Sequence, residues 1–64
     1  MISDVDISRA AHLMLHQYGG KAELEAARYA DVLLGRGDLE GLLTWTRIAR
    51  TIAALRLTPT GLPH

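Results

Sequence analysis

A chain of 64 residues and 7.0 kDa holds one small domain. Seven basic side chains are balanced by seven acidic ones, unlike the strongly basic surface of a typical nucleic-acid-binding domain. Cysteine is absent, which excludes disulfides, thiolate metal sites and thiol nucleophiles.

Apolar residues make up 48% of the chain and charged residues 22%, the balance of a folded chain rather than a disordered one. Phenylalanine is absent and aromatics are 5%, so the core must be aliphatic. Leu and Ala are strong helix formers, and their abundance predicts an all-α fold. A chain this short buries only about 60% of its unfolded surface, so oligomerisation or a partner often supplies the missing stability. No apolar run is long enough for a membrane span. The N-terminus carries acids instead of a basic leader, so a cytoplasmic protein without a signal peptide is expected.

The first helix is expected over about 4–18. Ser3 or Asp4 caps it, Asp6 lies in its first turn, and Gly19 and Gly20 stop it. Ile7, Ala10, Ala11, Met14 and Tyr18 share one stripe at helical spacing, with Arg9, His12 and His16 on the other side. The second helix, over about 21–35, presents Ala22, Ala26, Ala27, Ala30, Leu33 and Leu34, an alanine-rich stripe that permits close approach of a neighbouring helix. Asp38 caps the third helix, over about 38–57, whose face is Leu42, Trp45, Ile48, Ala49, Ile52, Ala53 and Leu55. Thr58 and Pro59 end it. These readings predict a small three-helix bundle over 1–57, in which helices two and three form an antiparallel hairpin, followed by a C-terminal tail over 58–64.

The second hairpin, with its Ala, Tyr and Gly-Asp pattern, resembles a single repeat of the tetratricopeptide type. More of the chain, from about Ile7 to Leu55, resembles a group of small uncharacterised bacterial all-helical proteins with a domain of unknown function. That resemblance rests on Ala11, His12, Leu13 and Met14, on Gly19, on Ala30 and Asp31, and on Leu33 and Leu34. In the C-terminal half it rests on the run Gly37, Asp38, Leu39, Glu40 and Gly41, and on Trp45, Ile48 and Ile52. It implies a small helical, cytoplasmic bacterial protein and transfers no activity and no site residues.

Four sets of residues are candidates for function. His12 and His16, four apart, place two imidazoles on one helical face, where a metal could be held with a third ligand such as Glu25, Asp31 or His64. The alternative is two histidines on a solvated face. Arg47, Arg50 and Arg56 lie beyond the last acid, Glu40, and suit phosphate contacts or, alternatively, the negative end of a helix dipole. Trp45 is either a core residue or an interface anchor. Leu13, Leu15, Leu24, Val32 and Leu43 lie off the main stripes, where a small bundle cannot cover them all. Serines occur only as Ser3 and Ser8, and the glycines lack phosphate-loop spacing, so neither nucleophilic catalysis nor a cofactor is expected. The expected function is a non-catalytic interaction module that binds a protein partner or its own copy through Leu13, Leu24, Val32, Leu43 and Trp45. Nucleic-acid binding through the three arginines and metal binding through the two histidines are the alternatives.

Overall fold

The structure, a computed structural model, describes residues 3–57. The expected tail, the helix stop at Thr58 and Pro59, and His64 lie outside the described residues. Within them the order is α1 (Asp4–Tyr18), a 3-10 turn (Gly19–Lys21), α2 (Ala22–Gly35) and α3 (Leu39–Leu57).

Local chemistry sets the ends. The Ser3 backbone is extended, and its hydroxyl accepts the Asp6 N–H at 3.2 Å. This satisfies one of the donors that a helix start leaves unpaired. Asp4 and Asp6 add negative charge at the positive end of the dipole. At the far end of α2, Gly37 adopts φ +74°, and its N–H donates to the Leu34 carbonyl at 3.0 Å. The Asp38 N–H donates to the Leu33 carbonyl at 2.9 Å. The two bonds form a Schellman motif, which closes the carbonyls of the last turn. The Asp38 carboxylate then accepts the Gly41 N–H at 2.9 Å, so the residue that closes α2 also caps α3. A Cβ on Gly41 would lie 2.8 Å from Asp38 Oδ2 and 3.0 Å from Leu33 Cδ1, so a larger residue there would push on the cap. Gly37→Ala is expected to cost about 1–2 kcal/mol, because an L side chain is strained in the left-handed region. Urea unfolding should show a lower midpoint with an unchanged slope. A midpoint equal to that of the wild type would mean the left-handed turn does not govern closure of the hairpin.

The three-helix bundle expected over about 4–18, 21–35 and 38–57 is corrected by the structure. Residues 4–35 form one helical run, and with α3 they make a two-helix hairpin. The reason lies at Gly19 and Gly20. Gly19 does take φ +57°, and its N–H donates to the Leu15 carbonyl, as a helix-ending glycine would. The Ala22 N–H then returns to the Gly19 carbonyl, and the chain re-enters the α conformation with no coil between. No side chain caps the start of α2, consistent with a helix that bends and continues rather than one begun anew. Among the described residues the chain makes one open turn, at residues 36–38.

Both segments of the first arm pack on α3. The buried apolar side chains are Ile7, Ala11 and Met14 of α1, Ala22, Ala26 and Ala30 of α2, and Ile48 and Ile52 of α3. All eight lie on the stripes that periodicity picks out. Four of them are alanines, so the helices approach closely and the core is thin. Among the described residues, Ile52 is the only large side chain that is fully buried. Ala10, Leu15, Trp45, Ala49 and Leu55 pack around the cluster. Tyr18, Ala27 and Leu34, expected on the inward stripes, are exposed. No helix among the described residues is long and apolar enough to cross a membrane.

Candidate functional site

The charged and aromatic side chains that the sequence singles out serve mainly to join α3 to the other arm. Arg47 forms an ion pair with Asp4 of α1. Arg56 pairs with Glu23 of α2 at 3.4 Å. Each pair is solvent-exposed and contributes little by itself, but together they engage two of the three arginines proposed for phosphate contacts. Arg50 is exposed on α3. Near it, Asp4, Ile7, Ser8, Arg47 and Thr51 complete the lining of an open depression, which mixes one acid with two bases.

All three aromatic residues of the chain lie along one flank. The rings of Tyr29 and Trp45 stack with centroids 4.7 Å apart and planes 26° from parallel. This places Tyr29 of α2 beside Trp45 of α3. Together with Glu23 beside Arg56, it fixes α2 and α3 as antiparallel. The Tyr18 pKa is held above the ordinary tyrosine value, chiefly by hydrogen bonding with the neighbouring Tyr29 hydroxyl favouring the protonated form, then by the charge of Tyr29, some burial and the charge of Glu25. Trp45 itself is half-buried against the core. The stack is not predicted by helical spacing, because Tyr29 lies off the inward stripe of α2.

Leu13, Leu24, Val32 and Leu43 are exposed, and Leu15 is half-buried against the core. The four exposed residues do not form one patch. Leu24 lies nine residues from the half-buried Leu33, and Leu43 nine from Ile52, about two and a half turns in each case. They therefore project from the outer faces of α2 and α3, on opposite sides of the hairpin. Val32 borders an open depression with Tyr29, Glu25 and Arg28, the last two paired at 3.3 Å.

His12 and His16 are both exposed on α1, and His12 Nδ1 lies 2.8 Å from the Ser8 carbonyl oxygen. Among the described residues no three His, Cys, Asp or Glu side chains are grouped to hold a metal ion. Glu25 and Asp31, named above as third ligands, form no such group with the histidines. Comparisons with family models, with curated proteins and with solved structures find no match to this chain.

Proposed function

We propose that the chain is a non-catalytic helical interaction module that docks through apolar side chains left outside its core. The observation that carries this reading is the imbalance of burial. Among the described residues, eight apolar residues are buried and half of them are alanine, while ten large apolar side chains, among them Leu13, Leu24, Val32 and Leu43, are exposed. Single exposed apolar residues are ordinary on a small protein, but this many beside so thin a core favour a chain completed by association. Trp45 enters the reading as a support of the hairpin rather than as the primary anchor, because it packs against the core and Tyr29. The pairing of Arg47 and Arg56 with acids favours protein docking over phosphate binding.

The test is association of the wild type compared with a Leu13→Lys, Val32→Lys double variant and a Leu43→Lys variant. Each altered side chain is exposed, so helicity by circular dichroism should be retained. Loss of association in at least one variant supports docking through these outward side chains. Unchanged association in all of them would overturn this choice of surface.

A further inference from the structure

The two ion pairs that join α3 to the first arm show how sharply that arm bends. Glu23 meets Arg56, and Asp4 meets Arg47. Because α2 and α3 are antiparallel, Arg47 lies from Arg56 in the direction of the hairpin turn. In a straight helix Asp4 would lie nineteen residues from Glu23 in the opposite direction, about 28 Å away. The run over 4–35 therefore turns back at Gly19–Lys21 and lays α1 against α3, where Ile7, Ala11 and Met14 join Ile48 and Ile52 in the core.

The bend rests on one residue. Gly19 has φ +57° and ψ −126°, outside even the left-handed helical region, and only glycine adopts this backbone without strain. Little else braces it. No side chain caps the start of α2, and a Cβ on Gly19 or Gly20 would meet nothing within 4 Å. The segments on either side are rich in Ala, Leu and Glu, which favour a continuous helix. The Ala22 N–H, which a continuous helix would direct to Tyr18, donates to the Gly19 carbonyl instead.

We propose that Gly19 and Gly20 form an exchange hinge: α1 leaves its own α3, the arm straightens, and α1 takes the same berth on the α3 of a second copy. The fold shows what fits that berth, because α1 itself fills it. Lifting α1 without replacement bares Ile7, Met14, Ile48 and Ile52, the buried side chains larger than alanine among the described residues. The open arm therefore persists only when exchanged. Reciprocal exchange restores these contacts, the Asp4 to Arg47 pair included, in a closed pair with two-fold symmetry. The straightened arm also regains the helical hydrogen bonding that the bend interrupts. The exchange goes beyond docking through outward side chains and does not depend on it. Leu13, Leu24, Leu39, Leu43 and Leu57 are exposed and lie outside the exchanged contact.

The experiment is sedimentation velocity from micromolar to millimolar concentration on the wild type, on Gly19→Ala and on a synthetic chain with D-alanine at position 19. Circular dichroism confirms that each stays helical. A Cβ at Gly19 meets no neighbour, so Gly19→Ala acts through the backbone alone. The L residue resists the bend, whereas φ +57° and ψ −126° mirror an ordinary extended conformation and suit the D residue. The wild type should dimerise at millimolar concentration. Gly19→Ala should dimerise about 30-fold more tightly or more, since two strained bends are relieved per dimer, and the D-alanine chain more weakly than the wild type. Because the chain has no cysteine, exchange itself can be read from introduced thiols. In the Gly19→Ala background, a short bismaleimide should join Asp4→Cys chains to Arg47→Cys chains in a mixture, and should not join Asp4→Cys chains to one another. A wild type that is monomeric throughout overturns the proposal, as does equal dimerisation of the two alanine chains, or a dimer in which Asp4→Cys and Arg47→Cys are not joined. If Gly19→Ala fails to fold, the D-alanine chain decides: dimerisation equal to that of the wild type overturns the proposal.

Discussion

Ile52→Ala is expected to leave much of the protein unfolded at physiological temperature. Among the described residues, Ile52 is the only large side chain with no exposed surface, and it packs with Ile7, Ala11, Met14, Ala22, Ala26 and Ile48. Its truncation removes buried methyl groups and leaves a cavity that close-packed helices fill only in part, a loss of about 2–5 kcal/mol. A domain of this length has a total stability of about 3–10 kcal/mol. A thermal melt followed by circular dichroism should therefore shift down by about 10–20 °C or more. Ile52→Val should shift it by a fraction of that. A melt for Ile52→Ala equal to that of the wild type would contradict a core centred where α3 crosses the first arm.

Trp45→Ala is expected to destabilise by about 2–3 kcal/mol, less than a fully buried tryptophan because its ring is half-exposed. The ring contributes packing against the core and the stack on Tyr29. Trp45→Phe should recover a large part, since a smaller ring can still stack there. Chemical denaturation of both variants checks this. If Trp45 were instead a pure docking anchor, Trp45→Ala would leave the midpoint unchanged and remove association alone.

Much of the fold is legible in the sequence because its determinants are local. Ser3 and Asp38 announce helix starts, Gly37 a helix end, and the period of Ile7, Ala11, Met14, Ala22, Ala26, Ala30, Ile48 and Ile52 marks the inward faces. What is not legible depends on how one turn is continued or on partners far apart in the chain. Gly19 and Gly20 carry the composition of a loop, yet the backbone there passes through a 3-10 turn and resumes the helix, so the count of helices falls from three to two. Leu34 and Ala27 fit the periodic stripe of α2 but lie past its edge, because α3 meets that helix along a narrow alanine seam. The Asp4 to Arg47 pair spans 43 residues, and the Tyr29 to Trp45 stack depends on the antiparallel register of the hairpin. Neither follows from spacing within one helix.

The candidate surface was legible in part. Leu13, Leu24, Val32 and Leu43 stand out in the sequence as apolar residues off the stripes, and they are exposed. Their separation onto different faces follows only from the arrangement of the arms. Leu39 and Leu57 escape notice in the sequence, because they sit in the first and last turns of α3, where periodicity carries least weight. The arginines show the same limit. As a run of charge beyond Glu40 they suggest phosphate binding, and only the fold reveals that Asp4 and Glu23 meet two of them.

The most direct test of the interaction-module reading is capture from a lysate of the source cells on immobilised protein, with and without nuclease, by the wild type beside the Leu13→Lys, Val32→Lys and Leu43→Lys variants. The account predicts a discrete protein, or the chain itself, retained after nuclease treatment and lost in at least one variant. Recovery of nucleic acid alone, or of proteins released by nuclease and retained by every leucine and valine variant, would contradict it.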